Sequence, residues 1–546
     1  MPVVTLYFNH LQKLVGRKSV KEIVEMLPYI ALDIEEQTKD YVKVEYNPNR
    51  PDFSTDYGIA RALKGIFGIE TGLPKFQHVN SNFSIQVDPS VKKVRPYIVS
   101  LIAMNGKLKN EDIRQIIVMQ EDLHEGMGRR RKKASIGIHN YDIIKSPLIY
   151  TTEKPNFKFV PLNSDKSMSM KEILEDTDVG KQYGSILDGQ KRYPIIKDRD
   201  GNILSFPPII NSELTKVTEK TKNLFIDITA TDMKAAEDTL AILAITLYDA
   251  GFKIQTVKII YGGKKIETPS MKDTIKKLRP AYVNKLLGLN LNTNEMVKCL
   301  GRSRMSASKG KNFIKCRIPR YRVDIMHDVD LIEDIAIGYG IQKMSVTYPP
   351  SSSVASRDFF MSILDNIRDV LAGLGMIEVM NFSLISKEVQ CNVMNRNENV
   401  LAVEQTKSIE HEVLRDSLVP SLMVTLSKNI HEPYPQIIFE VGKVFATDRS
   451  DLKEYWNIAA AMAHKATDYT EAKSYLQATL KSLLNIDVET RTANNPMLTD
   501  GRSAEIIFND KKVGIVGEVN QRIIDNFKLR VPVSVFEINI SEVLKI

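Results

Sequence analysis

No part of this chain stays apolar for long. The most continuous run, Leu240 to Leu247 (LAILAITL), is far shorter than the roughly 20 residues that cross a bilayer. Apolar residues dispersed this way must be buried in separate cores, and at 546 residues the length suggests about three to five domains. The opening MPVVTLYFNH lacks a basic flank before an apolar core, so neither export nor membrane insertion is indicated and a cytoplasmic location is expected. Cys299, Cys316 and Cys391 are scattered without a CxxC pair, which points to neither a disulfide framework nor a zinc site.

Punctuation along the chain suggests the organisation. Residues 1–90 alternate strand-like pieces (VVTLYF, YVKVEY) with helical ones. In YNPNRPDFSTDYGIARALKGIFG a turn precedes a helix capped by Ser54 or Thr55, with Ile59, Leu63 and Ile66 inward, ending at Gly68. Residues 91–268 read as mixed α/β, with strands such as PYIVSLIAM and FKIQTVKII. Residues 269–345 read as mainly short helices. After the linker TYPPSSSVAS, residues 355–546 carry alternating strands (QIIFEVGKVF, SAEIIF, KVGIVGEV, VSVFEINI) that predict an antiparallel sheet with helices. The fold class expected is multidomain α+β.

Two charged stretches stand out. In DIMHDVDLIEDIAIGYG, 324–340, Val329, Ile332, Ala336 and Tyr339 recur at helical spacing, with Asp328 as a candidate N-cap and Gly340 as a helix stop. Asp330, Glu333 and Asp334 share one face, where like charges repel unless something neutralises them. A solvated, well-capped helix and a site for a hard cation are both open. The net charge of +8 includes the run RRRKK, Arg129 to Lys133, which suits either a solvated loop or a polyanion contact.

No P-loop, GxGxxG, HExxH or GxSxG signature is present. In LFIDITATD, Asp227, Thr229 and Thr231 share one strand face, opposite Ile226, Ile228 and Ala230. Just upstream, the prolines of SFPPIINSEL precede Asn211 and Ser212. These residues form either a solvated edge strand beside a rigid turn or a polar pocket that orients water and a substrate.

Taken together, these stretches resemble one family, the β subunit of phenylalanyl-tRNA synthetase of the archaeal and eukaryotic-cytosolic type. The matching pieces are NPNRPDFSTDYGIARAL, SFPPIINSE, FIDITATD, IPRYRVDIMHDVDLIEDIAIGYG, LRDSLVPSLMVTLSKN, FEVGKVF and VGIVGEV, in family order over nearly the whole length. The resemblance implies an N-terminal B1-like domain (1–90), a B3/B4 tRNA-editing domain (91–268), a winged-helix-like B5 domain (269–345) and a class II synthetase-like core (355–546) without aminoacylation chemistry. IIFEVGKVF indeed lacks an FRxE motif, and GIVGEV is not followed by GxxR. It further implies an α subunit that attaches phenylalanine to tRNA(Phe) with ATP, and an α2β2 assembly in which LRDSLVPSLMVTLSKN packs its apolar face on a neighbour. The bacterial subunit's additional OB-fold and anticodon-binding domains would have no room before Ile546.

A phenylalanine pocket cannot strongly reject tyrosine, because a hydrophobic site discriminates only about 100-fold against an isostere that adds a hydroxyl. A second site that hydrolyses Tyr-tRNA is therefore expected, and Asn211, Ser212, Asp227, Thr229 and Thr231 carry suitable polar groups. The resemblance places tRNA contacts on Arg129, Arg130, Arg131, Lys132 and Lys133. It places Mg2+ ligands on Asp324, Asp330, Glu333 and Asp334, with Arg317, Arg320 and Arg322 as an alternative source of neutralising charge. Two rival readings are a metal-dependent phosphotransferase or nuclease built on the acidic cluster, and a tRNA-binding scaffold with a decayed editing site.

Overall fold

The computed structural model describes residues 2–16, 18–106, 110–348, 354–396, 400–404, 406, 408–448 and 451–545, with the side chains of 110–112 and 448 outside the description. Much of the expected TYPPSSSVAS linker thus lies outside the described residues. The chain forms two compact units, Met1–Tyr348 and Pro349–Ile546. The architecture is multidomain α+β, with several antiparallel sheets.

The first unit opens with a three-stranded sheet whose middle strand is Tyr41–Tyr46. Its period-two pattern buries Val42, Val44 and Tyr46. Helix Asp56–Ile66 packs into this core, capped by the Thr55 hydroxyl on Gly58 N, with Ile59 and Leu63 buried and Gly68 left-handed just beyond its end. Arg61 on this helix pairs with Asp249 at 2.7 Å and so joins the first sheet's helix to Met233–Asp249.

An 11-stranded sheet follows. Strand Leu224–Ala230 lies between Tyr97–Met104 and Ala134–Asn140, antiparallel to both, and Asp227 stands opposite Ser100 on one side and Gly137 on the other. It is therefore central, every residue in it is buried, and the solvated-edge reading is excluded. The run LAILAITL falls within helix Met233–Asp249, which is buried almost all round.

Residues 274–318 differ from the helical expectation. Three short strands, Thr274–Leu278, Ser306–Lys309 and Ile314–Ile318, form a sheet with Ile314–Ile318 in the middle. Ile314, Cys316 and Ile318 point into a core shared with helices Thr293–Arg302 and Asp328–Tyr339. Burial raises the Cys316 thiol to about 12, and all three cysteines are buried.

The second unit is built on a seven-stranded sheet, antiparallel except where Ile377–Glu378 runs parallel to its neighbour Gln436–Asp448. Strand Asp451–Ala463 is apolar on both faces because both are covered. Ala460 and Met462 pack towards helices Phe359–Gly373 and Tyr469–Leu484, and Ala459 and Ala461 towards helix Val419–Lys428. That last helix, from LRDSLVPSLMVTLSKN, buries Val419, Leu422, Met423 and Leu426 within its own unit. Its apolar face is therefore not free to pack on a neighbouring chain as expected from sequence.

One buried histidine ties helix Asn110–Glu125 to the central sheet. His124 Nε2 accepts from Ile136 N at 2.8 Å, which fixes the neutral Nδ1–H tautomer, and Nδ1 faces Glu121 at 3.3 Å. Burial lowers its pKa from the ordinary 6.5. The unfolded chain therefore binds a proton more readily, so this contribution is complete above about pH 6.5 and is lost as pH falls through the folded value. Thermal unfolding at pH 7.5 and 5.5 should show a larger loss for the wild type than for His124→Gln, with the variant about 1–2 kcal/mol less stable at pH 7.5.

Candidate functional site

A cavity of about 740 Å³ opens beside the central strand, walled by helix Asn110–Glu125 and the turn at Pro207 and Pro208. Asn211, Asp227 and Thr229 line it. Strand alternation puts Asp227 and Thr229 on that side while Ile226 and Ile228 enter the core. Asn211 is held there by its Nδ2, which donates to Ile138 O at 3.3 Å.

The other two residues expected in the pocket do different work. Ser212 is buried in a turn, donating to Val160 O and accepting from Leu214 N, both at 3.3 Å. Thr231 lies past the strand end, exposed, with its hydroxyl donating to Lys132 O at 3.1 Å. Neither lines the cavity.

Asp227 is nearly inaccessible and is fixed from behind. His139 Nε2 lies 2.9 Å from Asp227 Oδ2, and His139 Nδ1 lies 2.8 Å from Thr215 Oγ1. A carboxylate only accepts, so Nε2 carries the proton and Nδ1 accepts from the Thr215 hydroxyl. A Cβ on Gly137 would come within 2.3 Å of Asp227 Oδ2 and 2.7 Å of His139 Nε2, so only glycine admits this pair across the strands. Thr229 is held by Arg95, whose Nε donates to its Oγ1 at 2.9 Å. Arg95 is fully buried without a carboxylate partner, and burial lowers its pKa to about 10. His139, Gly137 and Arg95 escaped the sequence reading. His139 had a signal, since it lies in a strand, ASIGIH, next to the basic run; Arg95 in KKVRPY had none.

The basic run is divided by its backbone. Arg129, Arg130 and Arg131 are all left-handed, with φ of 46°, 52° and 64°, a conformation costing roughly 1–2 kcal/mol per non-glycine residue. Arg95 compensates by donating to Arg131 O at 3.0 Å and Lys132 O at 3.2 Å. The turn aims Arg131 into the cavity wall, where it lies over the Tyr183 ring at 4.2 Å and donates to Ile209 O and Glu121, both at 3.0 Å. Lys133 pairs with Asp232 at 3.2 Å, while Arg129, Arg130 and Lys132 remain exposed.

The acidic helix spans Asp328–Tyr339 with His327 as its N-cap; Ile332 and Ala336 are buried as expected, but Val329 is exposed. Its carboxylates do not share one face open to an ion. Arg322 lies between two of them, with Nη2 2.7 Å from Asp324 Oδ2 and 2.6 Å from Asp334 Oδ2. Burial would lower the Arg322 pKa, but Asp334 and Asp324 raise it well above the usual value. Asp330 turns back to accept from the backbone N–H groups of Met326 and His327, both at 2.6 Å. Glu333 stands apart with its pKa raised by partial burial and by neighbouring Asp334.

A guanidinium bridging two proposed ligands repels a cation, and among the described residues no group of three or more His, Cys, Asp or Glu is placed to hold a metal. Asp324, Asp330, Glu333 and Asp334 therefore do not fit a magnesium-ligand set. The phosphotransferase reading loses its basis with them. Of the arginines considered as an alternative, Arg322 alone neutralises the cluster; Arg320 pairs with Asp238 and Arg317 with Asp273.

The second unit's sheet also closes on itself. Arg415 and Glu440 form a buried pair at 2.7 Å, and Asn381 Nδ2 donates to Glu440 at 2.8 Å. Glu537 accepts from Leu418 N at 2.9 Å and Asn457 Nδ2 at 2.6 Å, anchoring the start of helix Val419–Lys428.

Comparison with known proteins agrees with this layout. Residues 89–246 match the family model "B3/4 domain", 276–341 match "tRNA synthetase B5 domain" and 344–540 match "Phenylalanyl tRNA synthetase beta chain CLM domain". These are domains of an aminoacyl-tRNA synthetase chain. The phenylalanine-tRNA ligase beta subunit of Archaeoglobus fulgidus is 39% identical over 545 residues, 99% of this chain and 98% of that protein. That of Methanocaldococcus jannaschii is 36% identical over 551 residues, 99% of this chain and all of that one. An N-terminal fragment of the Pyrococcus horikoshii phenylalanyl-tRNA synthetase beta subunit, known from its crystal structure, superposes with a TM-score of 0.60 at 35% identity, covering 62% of this chain and 99% of the fragment. The chain belongs to the phenylalanine-tRNA ligase beta-subunit family.

If Arg322 neutralises the acidic helix, the melting temperature should respond to neither magnesium nor a chelator. Arg322→Met should cost about 3–5 kcal/mol, because it leaves buried Asp334 unpaired. A chelator-induced drop in melting temperature would restore the metal assignment.

Proposed function

We propose that this chain is the non-aminoacylating β subunit of an α2β2 phenylalanine-tRNA ligase and that its cavity hydrolyses Tyr-tRNA(Phe). The observation that carries this reading is the Asp227–His139–Thr215 relay on the cavity wall, in the stretch that matches the B3/4 family model. A buried carboxylate fixed by His139 is an acceptor for a phenol hydroxyl, and phenylalanine has none to offer. Sites that hydrogen-bond a hydroxyl discriminate far more strongly than apolar pockets do. Asn211 and Thr229 supply further groups to orient the ester and the attacking water. An intact buried relay also favours an active site over a decayed one.

Phenylalanine attachment is assigned to the α subunit, since the polar groups on this chain's own synthetase-like sheet are engaged with one another. Magnesium used in that reaction would then sit with the nucleotide rather than on the acidic helix. The α subunit has an exposed apolar face to dock on in the second unit, where Met380, Phe382 and Ile409 are 92%, 77% and 78% accessible and Phe382 meets His411 edge to face. Among the residues of the basic run, Arg129 and Lys132 are exposed without an ion pair among the described residues and suit tRNA phosphates, while Arg130 is held by Glu125 at 3.2 Å.

With a co-expressed α subunit, Asp227→Ala should slow Tyr-tRNA hydrolysis on the order of 100-fold while leaving Phe-tRNA formation within about twofold. Equal loss of both activities would indicate a folding defect and count against the assignment. Phe-tRNA synthesis by this chain alone would refute the division of labour.

A further inference from the structure

The segment RSRMSASKGKNFIKCRIPRYR, Arg302 to Arg322, contains no Asp or Glu. Its arginines and lysines behave differently. Arg304 pairs with Glu70 at 3.2 Å, Arg320 with Asp238, and Arg322 with Asp324 and Asp334. Fork-shaped guanidinium groups are thus used to hold the fold together. The lysines turn the other way.

Strand register explains where they go. With Ile314, Cys316 and Ile318 buried, Lys315 and Arg317 must lie on the opposite, outward face of the three-stranded sheet. Lys315 is directly opposite Lys277 on one flank and Ser308 on the other. Lys309 ends the outer strand, and Lys311 lies in the hairpin that follows it. All four lysines are exposed, and among the described residues none of them forms an ion pair. Lys277 instead lies over the Phe313 ring at 4.9 Å. Asp273, just before strand Thr274–Leu278, is held by Arg317 at 2.7 Å.

Like charges directly opposite on neighbouring strands, about 5 Å apart, destabilise a sheet. Here the repulsion has no neutralising acid, so it is relieved when a polyanion lies across the face. Lysine is a compact, mobile point charge suited to phosphates along a backbone, with no fork to read a base edge. The half-buried Phe313 is covered by Lys277 and offers no open ring for a base to stack on.

Lys309, opposite buried Ile314, belongs to the other face. We propose that the outward face of this sheet binds the ribose-phosphate backbone of tRNA through Lys277 and Lys315, with Lys311 in the adjoining hairpin. This surface is distinct from both the cavity and the Arg129–Lys133 run. The inference rests on the proposed function only in taking tRNA as the polyanion.

Filter binding of unmodified tRNA(Phe) to the holoenzyme across a salt series tests it. Lys277→Gln, Lys311→Gln and Lys315→Gln together should weaken binding about 10- to 100-fold and lower the slope of log K against log salt by about 2–3. The melting temperature should not fall, because every changed residue is exposed. An unchanged slope with wild-type binding intact overturns this inference and spares the editing assignment. If the variant loses affinity for a duplex DNA of equal charge but keeps its tRNA slope, the face serves another polyanion and the inference also fails. If the wild-type holoenzyme does not bind tRNA, the proposed function and this inference fall together.

Discussion

Buried guanidinium groups hold the first unit together. Arg322 bridges Asp324 and Asp334, Arg61 reaches Asp249 from the first domain's helix, and Arg95 reaches across to the turn carbonyls of Arg131 and Lys132. Taking such charges out of water is expensive, and the attraction repays it only where geometry is good and the remaining donors are satisfied. Arg322 meets that demand with its planar fork shared between two carboxylates, whereas Arg61 keeps two buried guanidinium nitrogens without a hydrogen-bond partner among the described residues. Apart from Arg322 with Asp324, two residues away, the partners lie 12 to 188 residues apart, so local folding rules alone do not specify them.

This separation also sets what could be read from the sequence. Helix Asp56–Ile66, the central strand's alternation around Asp227 and the antiparallel sheet of the second unit all follow from period and punctuation, and all are present. The acidic helix was legible as a helix, but its charge balance was not: spacing put Asp330 and Asp334 on one face, whereas Asp330 folds back onto the helix start and Asp334 goes inward to Arg322. Strand Ile314–Ile318 was missed although Ile314, Lys315, Cys316, Arg317 and Ile318 alternate strictly, because the strand is only five residues long and lies between helical segments. Of the strand face read from the sequence, Asp227 and Thr229 line the cavity. Extending that face to Thr231 failed because the strand ends at Ala230.

In the second unit, two buried carboxylates are satisfied within the sheet itself. Glu440 and Glu537 sit on neighbouring strands either side of Ala459, facing helix Val419–Lys428. Their acceptors are filled by Arg415, Asn381, Asn457 and the backbone at Leu418. A polar group satisfied this way stiffens the fold and is removed from catalysis at once. That helix is correspondingly committed to its own sheet, while Met380, Phe382 and Ile409 are among the unit's exposed apolar side chains.

The left-handed turn at Arg129, Arg130 and Arg131 has a consequence for how this chain can vary. One turn sends Arg131 towards the cavity and leaves Arg129 and Lys132 outside, and its carbonyls are gripped by a guanidinium fixed to the central strand. The spacing of the run is therefore under tighter constraint than its composition. Exchanging one outward basic residue for another preserves the geometry. Inserting or deleting a single residue conserves the charge pattern but puts a different side chain into the cavity wall. Drift in length here would alter the interior through a change that looks, in sequence, like a surface loop adjusting itself.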